Sequence, residues 1–360
     1  MLQFLARRGD PSKSQRFLDG WVQFDGPEYL AIATDGYSRR QIVWFPAYPA
    51  ALRALERVVG DPVLAGVLVS AVAGLVATVL FWRWTERVGM DPVGRWFALA
   101  ALLLYPYGWF LYGVVYSDAL FLAAAVAGFL AVERDHLWIA AIAGALATAT
   151  RPSGFAVAIG LVVLTLERHQ VLVVPGPGAG WIHRLRIPVR VRPGAMRARL
   201  AIPLLSISGL LAYMAYLAAT WGDPIGFVTE QGRYHDSGPG TLVKQQFFEA
   251  FSGGYDLRHL ATTTAQALLV VAVLASVPAV GRRFGWGYAT YTLGLALLPA
   301  VSVSTFMGAG RYLLPAFPCW ALLGGWLSRR PPVVAALWYV TCGVALAVMV
   351  FGFSRSWYLT

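Results

Sequence analysis

Three side chains in this sequence have the types and positions that proton transfer next to an anion would need. Asp25 stands ahead of a stretch rich in aromatic residues, where its carboxylate could take a proton from a hydroxyl group. Arg151 and Arg311 are each flanked by apolar sequence. A guanidinium keeps its charge and presents a planar fork to phosphate, so these two residues are candidate anion-binding groups.

Each of the three residues also has a simpler interpretation. Asp25 precedes Gly26-Pro27, where an aspartate commonly begins a turn or caps a helix. Arg151 and Arg311 could instead extend from apolar helices to the surface of a membrane, as long basic side chains readily do. Spacing along the chain leaves both interpretations open.

The composition indicates what positions these residues. Of the 360 residues, 58% are hydrophobic and 13% charged, which is too little polar surface to cover a soluble protein. The net charge of +11 is concentrated in loops between apolar runs, a pattern typical of membrane proteins, and it indicates no nucleic-acid partner. Cys319 and Cys342 lie inside apolar runs, which argues against a disulfide framework or a thiolate metal site.

The apolar runs predict an all-α polytopic membrane protein with about ten transmembrane helices. Three of the runs are shorter than the roughly 20 residues that a perpendicular span needs, which predicts half-helices or tilted pieces packed against protein. Residues 47–59 predict an amphipathic helix lying along the membrane surface. The runs are 62–82, 96–115, 118–133, 137–150, 154–166, 200–219, 261–280, 286–304, 312–327 and 333–353.

The basic loops predict an orientation for the chain. Residues 167–199 carry seven arginines and should face the cytoplasm, which puts Asp25, Arg151 and Arg311 on the other side. Arg39 and three further arginines also fall outside, against this rule. The predicted regions are an external segment (1–60), transmembrane helices (61–166), a cytoplasmic loop (167–199), a transmembrane helix (200–220), an external loop (221–260), transmembrane helices (261–353) and a tail (354–360).

Six short elements, in order along the chain, give the sequence a family resemblance. They are Trp21 to Tyr37, Trp44-Phe45-Pro46-Ala47-Tyr48-Pro49, Tyr105 to Phe121, Ala149-Thr150-Arg151-Pro152-Ser153-Gly154, Trp221-Gly222-Asp223-Pro224, and Gly310 to Pro318. Together they resemble the PIG-V type mannosyltransferases of the GT-C superfamily. Two features depart from that family: residues 1–20 hold no membrane helix, and Asp118 stands where a glutamate is usual.

The resemblance implies transfer of mannose from a polyprenyl-phosphate carrier to an acceptor hydroxyl on the non-cytoplasmic face. The leaving phosphate is already a stable anion, so one carboxylate base and phosphate-binding cations suffice, unlike the carboxylate pair of most glycosidases. Asp25 is then the catalytic base, and Arg151 and Arg311 hold the donor phosphate. The acceptor is a lipid or a glycan. A composition rich in Arg, Ala, Val and Gly is typical of a high-GC genome, which favours a bacterial source and therefore the bacterial plasma membrane.

Further residues are candidates for acceptor or sugar contacts: Glu28, Tyr29, Asp35, Asp118, His235 and Tyr312. Glu28 and Asp35 are also explained as solvated loop carboxylates, and His235 as a structural or solvated residue. Asp118 lies at the end of an apolar run, where a carboxylate needs a partner or a function. The sequence predicts no cofactor and leaves a divalent metal open, because two carboxylates alone do not define a hard-cation site.

Other functions fit a chain with many spans. A lipid or solute transporter would also have several apolar helices and arginines near the membrane. Neither duplicated halves nor mid-span charges are visible, which favours an enzyme. An inactive relative that acts as a partner subunit is the third alternative.

Overall fold

The computed structural model describes residues 17–173, 190–234, 244–249, 257–302 and 305–357. Most of these residues are helical, and the described ranges include one antiparallel pair of two-residue strands, β1 (Leu172–Val173) and β2 (Arg190–Val191). The α-helices are α1 (Gly26–Asp35), α2 (Ala47–Val59), α3 (Pro62–Arg87), α4 (Pro92–Leu103), α5 (Asp118–Glu133), α6 (Leu137–Thr150), α7 (Gly154–Arg168), α8 (Ser208–Trp221), α9 (Gly226–Tyr234), α10 (Gln245–Glu249), α11 (Leu257–Arg283), α12 (Trp286–Ser302), α13 (Ala309–Leu313), α14 (Phe317–Leu327) and α15 (Pro332–Ser354).

Four helical segments are long and apolar enough to cross a membrane: Pro62–Arg87, Ala198–Trp221, His259–Arg283 and Pro332–Ser354. Their outward faces carry exposed aliphatic side chains over a larger area than water-soluble proteins usually expose. The chain is therefore an integral membrane protein. Shorter apolar helices at Pro92–Leu103, Leu137–Thr150 and Phe317–Leu327 accompany the four, and the total of about ten spans stays a prediction.

The apolar run 96–115 is not one helix, contrary to prediction. Helix α4 ends at Leu103, and a separate 3₁₀ helix spans Gly108–Leu111. Pro106 accounts for the break, because a proline disfavours helical backbone at the residue before it, here Tyr105. The interruption changes the direction of the chain before Tyr116 and Asp118, which precede and begin α5.

Two further predicted spans are also irregular. Run 312–327 divides into α13 and α14, with Pro315 between them and Pro318 in the first turn of α14. The predicted span 200–220 begins as a 3₁₀ helix, Ala198–Ile207, which contains Pro203 and becomes α-helical only at Ser208. In each case the apolar pattern predicts the segment, but prolines change its backbone.

Helix α2 forms at the predicted position, but its apolar face packs on protein. Tyr48 and Leu52 are fully buried against α3, and the Tyr48 hydroxyl donates to the Gly66 carbonyl at 3.0 Å. Val58, near the end of the same helix, is exposed. An amphipathic pattern shows that one face needs an apolar neighbour, but it does not identify that neighbour.

Helix α5 lies at the centre of the bundle, and the short helices α6 and α7 pack beside it, each with some exposed apolar side chains. Helix α5 is apolar on all sides and most of its residues are buried, because α3, α6 and α7 all pack against it. Its 16 residues span less than a membrane thickness, but surrounding helices cover it. The two ends of α5 therefore carry two separate groups of polar residues, at opposite ends of the bundle.

Basic residues collect at the carboxyl end of α5. Glu133 accepts hydrogen bonds from Arg168 at 2.7 Å and from the Tyr288 hydroxyl at 3.0 Å. Arg87 donates to the backbone carbonyl of Glu133 at 2.9 Å. These contacts bring the carboxyl ends of α3, α5 and α7 together. The predicted catalytic residues lie near the amino end of α5.

Candidate functional site

Asp25 stands directly before α1, at the helix-capping position. Its side chain makes no capping hydrogen bond, although the sequence left that interpretation open. The carboxylate instead accepts a hydrogen bond from Arg311 Nη1, with 2.8 Å between Nη1 and Oδ2. The Asp25 side chain is about a third exposed, at 31%, so it is both ion-paired and open to a ligand.

The backbone around Asp25 is held in an unusual conformation. Phe24, the preceding residue, has a positive φ of 52°, which a non-glycine residue seldom adopts. The ring of Phe24 packs on Phe353 of α15, with 5.4 Å between ring centroids. The backbone N–H of Asp25 donates to the Tyr116 hydroxyl at 3.0 Å. Packing on one side and a hydrogen bond on the other thus fix where Asp25 points.

Arg311 lies in α13, the first of the two short helices at the predicted span. Its guanidinium carbon is 4.9 Å from the centroid of the Tyr116 ring and 5.1 Å from that of Tyr312. Burial alone would lower the pKa of Arg311, but the nearby Asp25 carboxylate raises this pKa well above its ordinary value. Arg311 is therefore a permanent cation enclosed by aromatic rings.

The position of Arg311 depends on the preceding glycine. A Cβ atom on Gly310 would overlap the ring of Tyr107, so only glycine allows this approach. The Gly310 N–H donates to Gln266 Oε1 at 3.0 Å, and its carbonyl accepts from the Tyr105 hydroxyl at 2.8 Å. Both backbone polar groups of Gly310 are bonded to side chains, which holds α13 in one place.

Asp118 and Arg151 form a second ion pair beside the first. Arg151 Nη1 donates to Asp118 Oδ1 at 3.0 Å, and Nη2 lies 2.9 Å from Oδ2 without the alignment of a hydrogen bond. Asp118 is fully buried at the first turn of α5. Arg151 follows α6 in an extended conformation, as expected before Pro152. The pair joins the ends of two central helices.

Polar contacts extend from the Asp118–Arg151 pair to Tyr29, whose backbone N–H donates to the Asp25 carbonyl at 3.2 Å. Arg151 Nη2 donates to Ser117 Oγ at 3.1 Å, and Ser117 Oγ lies 3.0 Å from the Tyr29 hydroxyl. Burial raises the pKa of Tyr29 well above its ordinary value, so this hydroxyl stays protonated. The Tyr312 ring lies near both guanidinium groups, 5.1 Å from Arg311 and 5.8 Å from Arg151. The predicted residues Asp25, Tyr29, Asp118, Arg151, Arg311 and Tyr312 thus form one cluster.

Two other predicted residues, Glu28 and Asp35, lie outside this cluster. Glu28 is half-buried and accepts a hydrogen bond from Gln41 Nε2 at 2.8 Å, which places it at the rim. Asp35 is exposed at the far end of α1 and has no hydrogen-bond or ion-pair partner among the described residues. His235 lies outside the described residues. Contact of these residues with an acceptor or sugar stays a prediction.

The two predicted external regions meet at this rim. Arg39 Nη2 contacts Asp223 Oδ2 at 3.1 Å, and its Nε lies 3.7 Å from Glu230 of α9. Glu230 is buried. Arg39 opposes the charge rule used for orientation, and its acidic neighbours explain how it is accommodated there.

Sequence reasoning did not identify Tyr116, Ser117 and Gln266 as site residues. Tyr116 and Ser117 directly precede Asp118, so their place in the same short element was a usable signal. Gln266 lies within the apolar helix α11, where a buried amide is unusual, and its only sequence signal is that polarity. Across residues 17–173 and the other described ranges, no group of three or more metal-binding side chains is found.

Comparisons with solved structures give matches to the fold of this chain, one of them an oligosaccharyltransferase. No family model matches the sequence, and no curated protein matches it. A solved structure of the archaeal oligosaccharyltransferase AglB from Archaeoglobus fulgidus, in complex with an inhibitory peptide and a dolichol-phosphate, is 11% identical in sequence with a TM-score of 0.45. The match covers 95% of this chain and 52% of the AglB chain. The present chain therefore spans about half the length of AglB.

Proposed function

We propose that this protein is a membrane glycosyltransferase that moves a sugar from a polyprenyl-phosphate carrier to an acceptor hydroxyl. The finer assignment is mannose as the sugar, on the non-cytoplasmic face, as the resemblance to PIG-V type mannosyltransferases implies. The observation that carries the proposal is the 2.8 Å contact between Asp25 and Arg311, a carboxylate and a cation from opposite ends of the chain. GT-C-like architecture is part of the proposal.

The proposed chemistry needs a base and an anion-binding group a few ångströms apart. Asp25 removes the proton from the acceptor hydroxyl as its oxygen attacks the anomeric carbon. The bond between that carbon and the phosphate oxygen breaks, and the bonding electrons leave with the phosphate. Arg311 stabilises the negative charge that grows there. A single direct attack inverts the configuration at the anomeric carbon.

Arg311 is better placed than Arg151 to bind the phosphate. Arg151 is held by both oxygens of the buried Asp118, so its charge is already balanced. Arg311 contacts Asp25 through one nitrogen only, and its Nε has no partner among the described residues. We therefore assign Arg151 a supporting role beside Tyr312, and direct phosphate binding by Arg151 stays a prediction.

The test is label transfer in a membrane system. Purified protein in nanodiscs receives polyprenyl-phosphate mannose with a labelled sugar and a lipid extract as acceptor. We expect the Asp25→Asn variant to transfer label more slowly by about 10²-fold or more, the scale for losing a positioned base. Equal rates in wild type and variant would refute Asp25 as the base.

Asp61→Asn is the matched control. Asp61 begins α3 and accepts a hydrogen bond from the Leu64 N–H at 2.9 Å, a cap that asparagine can replace. The same chemical change is thus made at an exposed carboxylate elsewhere. Its transfer rate should equal that of the wild type. If a polyprenyl phosphate that carries another sugar gives a higher transfer rate, that sugar replaces mannose in the proposed function.

A further inference from the structure

Tyr116 lies next to the proposed site and has no part in the chemistry described so far. Its hydroxyl oxygen accepts a hydrogen bond from the Asp25 backbone N–H at 3.0 Å. The hydroxyl's own hydrogen is therefore left to donate, and no described residue accepts it. The side chain is fully buried.

Arg311 Nε is a second donor in the same surroundings. This atom is buried and has no hydrogen-bond partner among the described residues, while Nη1 and Nη2 of the same guanidinium contact Asp25 and the Tyr312 hydroxyl. The guanidinium carbon lies 4.9 Å from the centroid of the Tyr116 ring. The two donors belong to side chains that both contact Asp25.

Two neighbouring buried donors of this kind indicate a ligand. Leaving one such group without an acceptor is unfavourable, and almost all buried polar groups in proteins have partners. Asp25 and Asp118 are the acidic groups near Arg311; Asp25 contacts Nη1 and not Nε, and Asp118 faces Arg151 instead. The donors therefore serve an acceptor that the described chain does not supply. A cationic and a neutral donor together favour an anionic oxygen.

We propose that the Tyr116 hydroxyl and the Arg311 Nε–H together bind one anionic oxygen of the donor phosphate. This assignment rests on the proposed function and makes Tyr116 a ligand-binding residue. As the bond to the sugar breaks, charge grows on the phosphate and both hydrogen bonds strengthen. Burial raises the pKa of Tyr116 well above its ordinary value, which keeps the hydroxyl protonated and able to donate.

Binding measurements on sugar-free ligands test the assignment. The ligands are a short-chain polyprenyl phosphate, the matching polyprenol and inorganic phosphate, each added to the full-length protein in nanodiscs. We expect Tyr116→Phe to weaken binding of the polyprenyl phosphate about tenfold or more, the effect of losing one hydrogen bond to a charged group. Binding of the polyprenol should not change.

Tyr213→Phe is the matched control. Tyr213 is also buried, and its hydroxyl donates to the Ile42 carbonyl at 2.7 Å, in a separate apolar cluster from Tyr116. Its loss should leave phosphate binding unchanged. A parallel weakening for inorganic phosphate would show that phosphate alone is recognised, and binding of only the lipid form would show that the carrier chain is also required.

Equal affinity of the wild type and Tyr116→Phe for the polyprenyl phosphate overturns the proposal. In that case a slower transfer rate with unchanged phosphate affinity would give Tyr116 a positioning role through the Asp25 N–H. If Tyr116→Phe does not fold, Arg311→Lys decides, because lysine keeps the charge but has no Nε–H. Unchanged phosphate affinity in Arg311→Lys would also overturn the proposal. These ligands carry no sugar, so failure of sugar transfer leaves the binding result interpretable.

Discussion

The carboxylate of Asp118 and the guanidinium of Arg151 face each other through two contacts of 2.9 and 3.0 Å, with Asp118 fully buried. The pair joins the first turn of α5 to the end of α6. Ser117 extends it toward Tyr29. The central helices are therefore held in register by charge at the same end of the bundle that carries the proposed site.

The first prediction concerns the stability that this ion pair provides. Asp118→Asn leaves Arg151 buried without a balancing charge, and breaking a buried pair in this way costs about 3–5 kcal/mol. We expect a large fall in the midpoint of unfolding, measured in detergent with a chemical denaturant. The double variant Asp118→Asn with Arg151→Gln should lose less than the two single changes added together.

Asp61→Asn again serves as the control, since the new side chain can still cap α3. A midpoint for Asp118→Asn that equals that of this control would contradict the prediction. Additive losses in the double variant would show that the two residues act independently.

The second prediction concerns Gly310. In Gly310→Ala the new methyl group overlaps the Tyr107 ring, so either the ring or α13 must move. Arg311 would then shift away from Asp25, and a displacement of about 1 Å at such a site can lower a rate about 10²-fold. The measurement is the label-transfer assay. Gly343→Ala is the control, because a Cβ at Gly343 meets no other atom. Full activity in Gly310→Ala would show that the close packing does not position Arg311.

The helices could be predicted from the sequence better than their interruptions. Runs 118–133 and 137–150 coincide with α5 and α6, because an unbroken apolar stretch carries both the length and the boundaries of a helix. Hydropathy alone joined α4 to the 3₁₀ helix that follows, although Pro106 was a visible sign of a break. For α2, amphipathic periodicity predicted a buried face but not the protein surface that covers it.

The site was less accessible to sequence reasoning than the helices. Asp25 and Arg311 are 286 residues apart, and their contact depends on how all the intervening helices pack. Residue type and position identified each of them as a candidate, but no spacing rule pairs them. Tyr116 and Gln266 had weaker signals, the position next to Asp118 and the polarity within an apolar helix, because their roles come from a hydrogen bond to a backbone group that only the folded chain brings near.

The third prediction concerns the contact between the segment around Arg39 and α9. Arg39→Gln removes the ion pairs to Asp223 and Glu230, so α9 should be held less firmly. We expect faster hydrogen exchange of the α9 amides, measured by mass spectrometry. Loss of the partly exposed Arg39–Asp223 pair should cost about 0–1 kcal/mol, and any larger fall in the midpoint of unfolding should come from the buried Glu230, which loses its contact with Arg39. Arg53→Gln, on the exposed face of α2, is the control. Unchanged exchange in α9 would show that Arg39 does not hold it.

The fourth prediction concerns the pH dependence of stability. Lys244 is largely buried, with its Nζ 3.3 Å from the Pro299 carbonyl and 4.7 Å from the centroid of the Phe306 ring. Burial lowers the pKa of Lys244 from an ordinary value of 10.5 to about 8. The folded protein therefore disfavours the charged form of this side chain.

The direction of the effect follows from proton binding. Below pH 8 the lysine is charged in both states, and the folded state carries the full cost of burying that charge. Between pH 8 and 10.5 the unfolded chain binds a proton that the folded chain has lost, so stability rises with pH.

We expect Lys244→Met to unfold at a higher temperature than the wild type at pH 7. This difference should shrink toward pH 10.5, because by then the wild-type lysine is neutral. Comparing the two proteins at each pH removes the contribution of the other titrating groups. A difference that stays constant from pH 7 to 10.5 would mean that the Lys244 ammonium is not disfavoured in the fold.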